Sequence, residues 1–192
     1  MEAESEIDRP RKRQPVNIRQ MDIDDIAQVF HLGEELFTAA KVPNLYRTWD
    51  EYEVITLFQS DPDLCLVAES EEQLLGFALG TTVEKSHSAW KYGYLAWLGV
   101  RPAHQRSGVA LRLFNALKDL LLEAGARILL VDTEADNLPA LRFFRKQGFG
   151  SPQEHIFLTL NLDQERRRNG AKKPAGRPPD HFRLDDADRD PE

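Results

Sequence analysis

The pattern of hydrophobic and polar positions switches between a helical and a strand period through the middle of the chain. Apolar residues at helical spacing predict helices over about 23–40, 49–59, 108–124 and 137–148. Alternating or short apolar runs predict strands over about 16–19, 64–69, 74–83, 94–100, 127–133 and 156–162. The resulting order, β-α-α-β-β-β-α-β-α-β, predicts an α/β domain with a mixed sheet.

Helix boundaries carry their own signals. Thr48 and Glu51 have capping-box spacing, which predicts the start of the second helix. Asn137 followed by Pro139 predicts the start of the last helix, because both residues suit the first turn. Gly125 is a suitable C-terminal stop for the helix before it.

The two ends of the chain differ from the middle. Residues 1–15 and 163–192 are polar, charged and poor in large apolar side chains, so we expect a disordered lead and a disordered charged tail. Between them, residues 16–162 are predicted to form one domain. The basic clusters of the tail leave open a partner-binding role, against that of a simple solvated segment.

Charge and cysteine content narrow the classes of partner. Residues 1–15 carry four acids and four bases and residues 163–192 carry eight of each, so the net charge of −7 lies entirely in residues 16–162. That excess argues against a nucleic-acid-binding face and is compatible with steering a cationic substrate. The single cysteine, Cys65, excludes an intramolecular disulfide and points to a reducing compartment, most simply the cytoplasm. No apolar run approaches the length of a bilayer, so no membrane partner is expected.

The segment with the clearest chemistry is 105–110, which leaves a predicted strand and opens a predicted helix. The first amides of a helix lack intrachain partners and attract anions, and Gly108 lets a phosphate approach the backbone. Arg101 and Arg106 could add charge from the side. The spacing matches neither the nucleotide-hydrolysing P-loop nor the dinucleotide fingerprint. A plain helix entry is the alternative.

Two motifs give these residues a family context. Gln105, Gly108 and Ala110 resemble motif A of the GCN5-related N-acetyltransferases (GNAT), Arg/Gln-x-x-Gly-x-Gly/Ala. Residues 137–149 are similar to the family's Asn-x-x-Ala-x-x-hydrophobic-Tyr-x-x-x-Gly-Phe. The resemblance covers residues 16–162 and implies a mixed, mostly antiparallel sheet whose two parallel strands splay apart between flanking helices.

The resemblance also implies the ligand, acetyl-coenzyme A, and no metal. The pyrophosphate would be held by the amides of Gln105, Arg106, Ser107, Gly108, Val109 and Ala110. The pantetheine arm would pair with the strand backbone of Leu98, Gly99 and Val100. Asn137 would reach the same arm, cap its helix, or do both.

The resemblance also implies acetyl transfer to an amine, which needs a proton acceptor. Asp132 is the first candidate, because its position is similar to the glutamate of ribosomal-protein alanine acetyltransferases; a solvated carboxylate is the alternative. Glu134 and Glu84 are other candidate bases, and a strand amide is the expected oxyanion donor. Tyr94 lies near the expected acceptor side, where packing is its alternative role.

Phe144 departs from the family pattern. It stands where the family usually has a tyrosine that can protonate the leaving thiolate, and phenylalanine cannot. Coenzyme A contact remains the expected role of this position. Because the departure weakens the case for catalysis, a regulatory or sensor module that binds acyl-CoA remains an alternative to the enzyme.

The expected acceptor is a primary amine of a small molecule, or of a peptide or protein at its N-terminus or a lysine, attacked directly. Aromatic residues in 41–60 and 84–93 suggest an apolar or stacked group beside that amine; they are Tyr46, Trp49, Tyr52, Trp90 and Tyr92. The oligomeric state stays open between a monomer and the homodimer that is common in the family.

Overall fold

A computed structural model describes residues 15–38, 49–71, 73–84 and 90–153, with 160 and 162. The chain divides into two units, Met1–Pro152 and Gln153–Glu192. The first contains every helix and strand given below. Both predicted polar ends lie outside the described residues, as does the predicted last strand apart from residues 160 and 162.

The observed elements follow the predicted order up to the last helix. They are β1 Asn17–Gln20, α1 Ile26–Leu36, α2 Glu51–Ser60, β2 Cys65–Ser70, β3 Gln73–Glu84, β4 Lys91–Val100, α3 Val109–Glu123, β5 Ala126–Val131 and α4 Leu138–Lys146. The five strands form one sheet in the order β1-β2-β3-β4-β5. Neighbours run antiparallel except β4 and β5, which are parallel, so the predicted mixed α/β sheet is confirmed.

Two hydrophobic cores lie on the two faces of the sheet. On one face α3 and α4 contribute Leu113, Phe114, Leu117 and Phe144, all buried. On the other, α1 and α2 contribute Val29, Leu32 and Val54, which pack with Trp49, Phe77 and Trp97. The apolar stripes of the helices therefore each have a sheet face to cover, as their periodicity requires.

Local caps correct two predicted helix starts. The residues predicted to begin the first helix form a 3-10 turn, Ile23–Asp25, held by a capping box between Asp22 and Asp25. The second helix is capped by Asp50, whose carboxylate accepts the amide of Glu53 at 2.8 Å. The predicted Thr48 capping box is therefore wrong. Thr48 itself lies outside the described residues.

Within the described residues, no helix is both long and apolar enough to span a bilayer.

Candidate active site

The parallel strands β4 and β5 separate halfway along β4. Their pairing runs from Lys91 with Ala126 to Leu95 with Val131, where β5 ends. Beyond that point β4 pairs only with β3, among the described residues. Leu79 pairs with Trp97, and the next residue, Gly80, pairs with Leu95. Ala96 is therefore an extra residue in β4, and it forms a bulge. A bulge bends its strand, and this one lies directly after the last residue of β4 that pairs with β5.

The edge of β4 beyond the split presents backbone groups. The amide of Arg101 donates to Leu75 O in β3 at 2.8 Å. Because antiparallel backbone groups alternate in direction, those of Val100 and Leu98 point to the side that β5 has left. The Gln105 side chain donates to Val100 O at 3.2 Å, which ties the following loop to this edge.

Gly99 has a packing role. A Cβ at this position would stand 2.8 Å from both Leu36 Cδ1 and Phe77 Cζ, so only glycine lets α1 and β3 approach β4 here. Gly99 lies on β4, and its place in coenzyme binding stays a prediction. Its lack of a side chain serves the core on the α1 and α2 face.

The predicted phosphate loop forms an uncapped helix start. Arg106 has a φ of 62° and Gly108 a φ of 93°, so the chain turns sharply before Val109 begins α3. The Ser107 hydroxyl donates to His104 O, and no side chain caps α3. Within the described part of the chain, the amides of Arg106, Ser107 and Gly108 have no hydrogen-bond acceptor. Such a helix start is a ready anion site.

The space outside this helix start is clear. A Cβ built on Gly108 would meet no atom within 4 Å, so an anion can reach the backbone there. Val109 is buried and Ala110 half-buried, which anchors the first turn of α3 in the core. Arg106 is exposed beside the loop. Arg101 was predicted to add charge to this loop, but its guanidinium instead donates to Leu74 O and to the Glu35 carboxylate.

Two of the three predicted catalytic residues are brought together. The Tyr94 hydroxyl donates to Asp132 Oδ1 at 2.5 Å, although the residues are 38 positions apart. Tyr94 lies on β4 just before the split, and Asp132 directly follows the last residue of β5. The pair therefore stands at the base of the split, on the face covered by α1 and α2.

The other candidate bases lie elsewhere. Glu134 is in the turn before α4, where its carbonyl oxygen accepts the amide of Asn137 at 3.0 Å. Glu84 ends β3 and forms an ion pair with Lys91 at 3.2 Å. Asp132 is the candidate base whose carboxylate is described as bonded to Tyr94, a predicted catalytic side chain.

Asn137 and Phe144 organise α4. Asn137 Oδ1 accepts the amide of Ala140 at 3.2 Å and its Nδ2 donates to Thr133 Oγ1 at 3.1 Å, so the predicted cap is confirmed. Phe144 is 8% exposed and packs edge-to-face against Phe143 and Phe149. Phe144 belongs to the core on the α3 side, whereas Tyr94 borders the opposite core.

The sequence did not single out Glu53. Its carboxylate accepts the indole N–H of Trp97 at 3.0 Å, which joins α2 to β4 just past the bulge. One signal was available: Glu53 and Leu57 are four residues apart and share a helix face, and Leu57 packs on the core.

The aromatic residues expected on the acceptor side have mixed roles. Trp49 is buried, stacks on Phe77 at 5.3 Å and donates to Phe30 O, so it is a core residue. Tyr52 and Trp90 are 72% and 51% exposed. Tyr92 is half-buried, and Tyr46 lies outside the described residues.

Comparison with known proteins gives a consistent family. The model of the acetyltransferase (GNAT) family matches residues 28–149. An acetyltransferase of Yersinia pestis (strain Pestoides F) is 28% identical over 154 residues, covering 78% of this chain and 99% of the relative. N-alpha-acetyltransferase 30 of Schizosaccharomyces pombe is 27% identical over 95 residues, covering 46% of this chain. This match spans 58% of the yeast enzyme.

A solved structure shares the fold. An aminoglycoside N-acetyltransferase in complex with coenzyme A superposes with a TM-score of 0.62 at 20% identity, over 79% of this chain and 98% of the other. The chain therefore belongs to the acetyltransferase (GNAT) family, and the predicted resemblance is confirmed. Its reaction is the transfer of an acetyl group from acetyl-CoA to an amine.

Proposed function

We propose that acetyl-CoA lies in the split between β4 and β5, with its pyrophosphate on the loop before α3. The observation that carries this is the uncapped start of α3 beside the β4 edge, where Gly108 leaves the approach clear. The amides of Arg106, Ser107 and Gly108 bind the pyrophosphate, and the backbone of Leu98 and Val100 pairs with the pantetheine arm. The Asn137 side chain borders that arm from the start of α4.

We propose that the Tyr94–Asp132 pair removes the proton from the attacking amine. In the transfer, the neutral amine attacks the thioester carbon, a C–N bond forms, the C–S bond breaks and the thiolate leaves. Asp132 accepts the proton of the incoming amine, and the Tyr94 hydroxyl holds that carboxylate in place. A β4 amide next to the bulge donates to the developing oxyanion.

The leaving thiolate needs no acid from α4. Phe144 has no proton to give and lies in an aromatic cluster. A thiol has an ordinary pKa of about 8.5, so its thiolate departs without obligatory protonation. The acceptor is a primary amine of a small molecule or a peptide. The relatives support both kinds, because one is named for aminoglycoside acetylation and another for Nα-acetylation.

A panel of small amines and peptides with free N-termini or lysines tests the proposal. Coenzyme A release is followed by a thiol reagent, and the acetylated product is identified by mass spectrometry. Direct attack predicts sequential kinetics and no acetylated protein when the amine is left out. Asp132→Asn should lower kcat/KM by about 100-fold or more, the usual contribution of a general base.

Asp136→Asn is the matched control, because Asp136 is an exposed carboxylate four residues further along the same loop. It should leave kcat/KM near the wild-type value. Acetyl-CoA binding without turnover on the whole panel would contradict the enzyme and favour the acyl-CoA sensor. Equal losses in both variants would contradict the role of Asp132.

A further inference from the structure

The carboxylate of Asp61 joins the end of α2 to β3, across from Tyr94 in the candidate active site. It accepts the Thr81 hydroxyl at 2.5 Å, the Thr82 amide at 3.4 Å and the Thr82 hydroxyl at 3.5 Å. Thr81 is the residue of β3 that pairs with Tyr94 on β4. Because paired residues of antiparallel strands point to the same face, Thr81 and Tyr94 share the face covered by α1 and α2. Asp61 therefore holds the strand position directly beside Tyr94.

The backbone of Asp61 is itself fixed on both sides. Its amide donates to Leu57 O at 3.0 Å, which closes the last turn of α2. Its carbonyl oxygen accepts the amide of Leu64, a buried residue just before β2, at 3.0 Å. Because the backbone is already ordered, the Asp61 side chain loses little further freedom when it binds Thr81. The contact therefore acts as a firm constraint on β3.

The helix α2 is attached to the sheet on both sides of the β4 bulge. In its first turn Glu53 accepts the indole N–H of Trp97, which follows the bulge. At its end Asp61 binds Thr81, whose partner Tyr94 precedes the bulge. At about 1.5 Å per residue, the helix from Glu53 to Asp61 spans roughly 12 Å. The strand from Tyr94 to Trp97 spans roughly 10 Å at about 3.3 Å per residue. The two spans match, so one helix reaches both attachment points.

The bulge makes the position of Tyr94 sensitive to this constraint. When a bulge moves by one residue, the side chain that it passes turns to the opposite face of the sheet. A bulge displaced from Ala96 past Tyr94 would take the Tyr94 hydroxyl away from the Asp132 carboxylate. Fixing Thr81 opposite Tyr94 opposes that displacement.

We propose that Asp61 is a positioning residue for acetyl transfer, which holds Thr81 opposite Tyr94 and so keeps the Tyr94 hydroxyl on the Asp132 carboxylate. This inference rests on the proposed function, because Asp61 acts only through the Tyr94–Asp132 pair. Asp61 itself touches neither the coenzyme nor the acceptor in this scheme. Its removal should therefore change turnover more than the binding of acetyl-CoA.

Four variants isolate this contact. Asp61→Ala removes the carboxylate, and Thr81→Val removes the hydroxyl that it accepts while keeping the shape of the side chain. Asp61→Asn keeps an oxygen for that hydroxyl and removes only the charge, so it should restore most of the activity. Asp63→Ala is the matched control, because Asp63 is an exposed carboxylate two residues further along that accepts from Gln20 on β1 at 3.2 Å.

The first measurement is independent of the acceptor. In protein labelled with [13Cζ]-tyrosine, the Tyr94 signal is one of four tyrosine signals and is assigned by its loss in Tyr94→Phe. Well below Tm, this signal should move in Asp61→Ala, because the hydroxyl leaves Asp132. It should keep its wild-type position in Asp61→Asn and in Asp63→Ala.

The second measurement is kcat with the panel amine or peptide that the wild type acetylates fastest. Asp61→Ala and Thr81→Val should each lower kcat by about tenfold, the range of one hydrogen bond to a charged group. The KM for acetyl-CoA should stay unchanged, because the phosphate loop follows the far end of β4. In a Tyr94→Phe background, Asp61→Ala should still lower Tm but should lower kcat by less than about twofold, since the hydroxyl that it positions is already gone.

Three results would overturn the inference. A wild-type Tyr94 signal and kcat in Asp61→Ala refute it, and a wild-type kcat in Thr81→Val refutes it equally if Asp61→Ala does not fold. The same tenfold loss of kcat in the Tyr94→Phe background, or in Asp63→Ala, shows general support of the fold rather than placement of Tyr94. Full activity of Asp132→Asn, or no turnover of any panel member by the wild type, contradicts the proposed function even where the Tyr94 signal moves.

Discussion

Gly108→Ala separates the role of the phosphate loop from the stability of the helix that follows. Gly108 has a φ of 93° and no atom within 4 Å of the position of an added Cβ. The added methyl group therefore meets no steric clash, but it forces an L side chain into a left-handed conformation and occupies the anion approach. The same helix offers a control, since Gly125 after α3 has a φ of 85° and equally clear space.

The expected magnitudes follow from these two features. A left-handed backbone costs an L residue about 1–2 kcal/mol. For a chain of this size that is a fall in Tm of about 2–8 °C, and both variants should show it. Only Gly108→Ala should also weaken coenzyme A binding. Loss of one hydrogen bond to a charged phosphate, about 1.5–3 kcal/mol, raises Kd by roughly 10- to 100-fold.

Calorimetric titration with coenzyme A, paired with thermal unfolding of each apo variant, measures both quantities. The reasoning is refuted if Gly108→Ala binds coenzyme A as tightly as the wild type. It is equally refuted if Gly125→Ala loses the same affinity, because strain in α3 would then explain the effect.

Three further predictions concern single side chains. Cys65 is fully buried, and desolvation raises the pKa of its thiol to about 12. Alkylation of this thiol at pH 8 should therefore proceed only through unfolding, and fast labelling of the native protein would contradict its burial. The hydrogen bond from Arg19 lowers the pKa of Asp25. The stability that the ionised Asp25 gives the folded protein is therefore complete above the ordinary carboxyl pKa and is lost as pH falls through the lowered value. Denaturant titrations should therefore show that Asp25→Asn lowers the free energy of unfolding at pH 7 and lowers it progressively less in acid. A loss that grows in acid would contradict the stabilising role of the Arg19–Asp25 pair. Phe144→Tyr should lower Tm, because a buried hydroxyl without a partner costs about 1–3 kcal/mol. The same substitution should change kcat only a few-fold, and a hundredfold rise in kcat would show that a missing acid limits turnover.

The elements were predictable because each has a strong local cause. The apolar stripe of α3, which includes Leu113 and Leu117, can be buried only as one face of a helix. The bounds of α3 were therefore predicted to within one residue at each end. The cap of α2 was missed because Thr48 and Asp50 are both good caps, and only the geometry of the preceding chain decides between them. Spacing alone could not make that choice.

The site was predictable in its parts more than in its contacts. The loop at Gly108 has a local signature, whereas the Tyr94–Asp132 bond depends on the parallel register of β4 and β5. Arg101 was misassigned because its direction is set by partners on α1 and β3, far away in sequence. Glu53 was missed for the same reason, since its partner Trp97 is 44 residues away.

A crystal structure with coenzyme A tests the central claim most directly. Pyrophosphate oxygens should lie about 2.7–3.2 Å from the amides of Arg106, Ser107 or Gly108, with the pantetheine arm along β4 at Leu98 and Val100. The thiol should end at the base of the split, beside Tyr94 and Asp132. A pyrophosphate bound anywhere other than the start of α3, or an arm that leaves the split unfilled, would contradict the account.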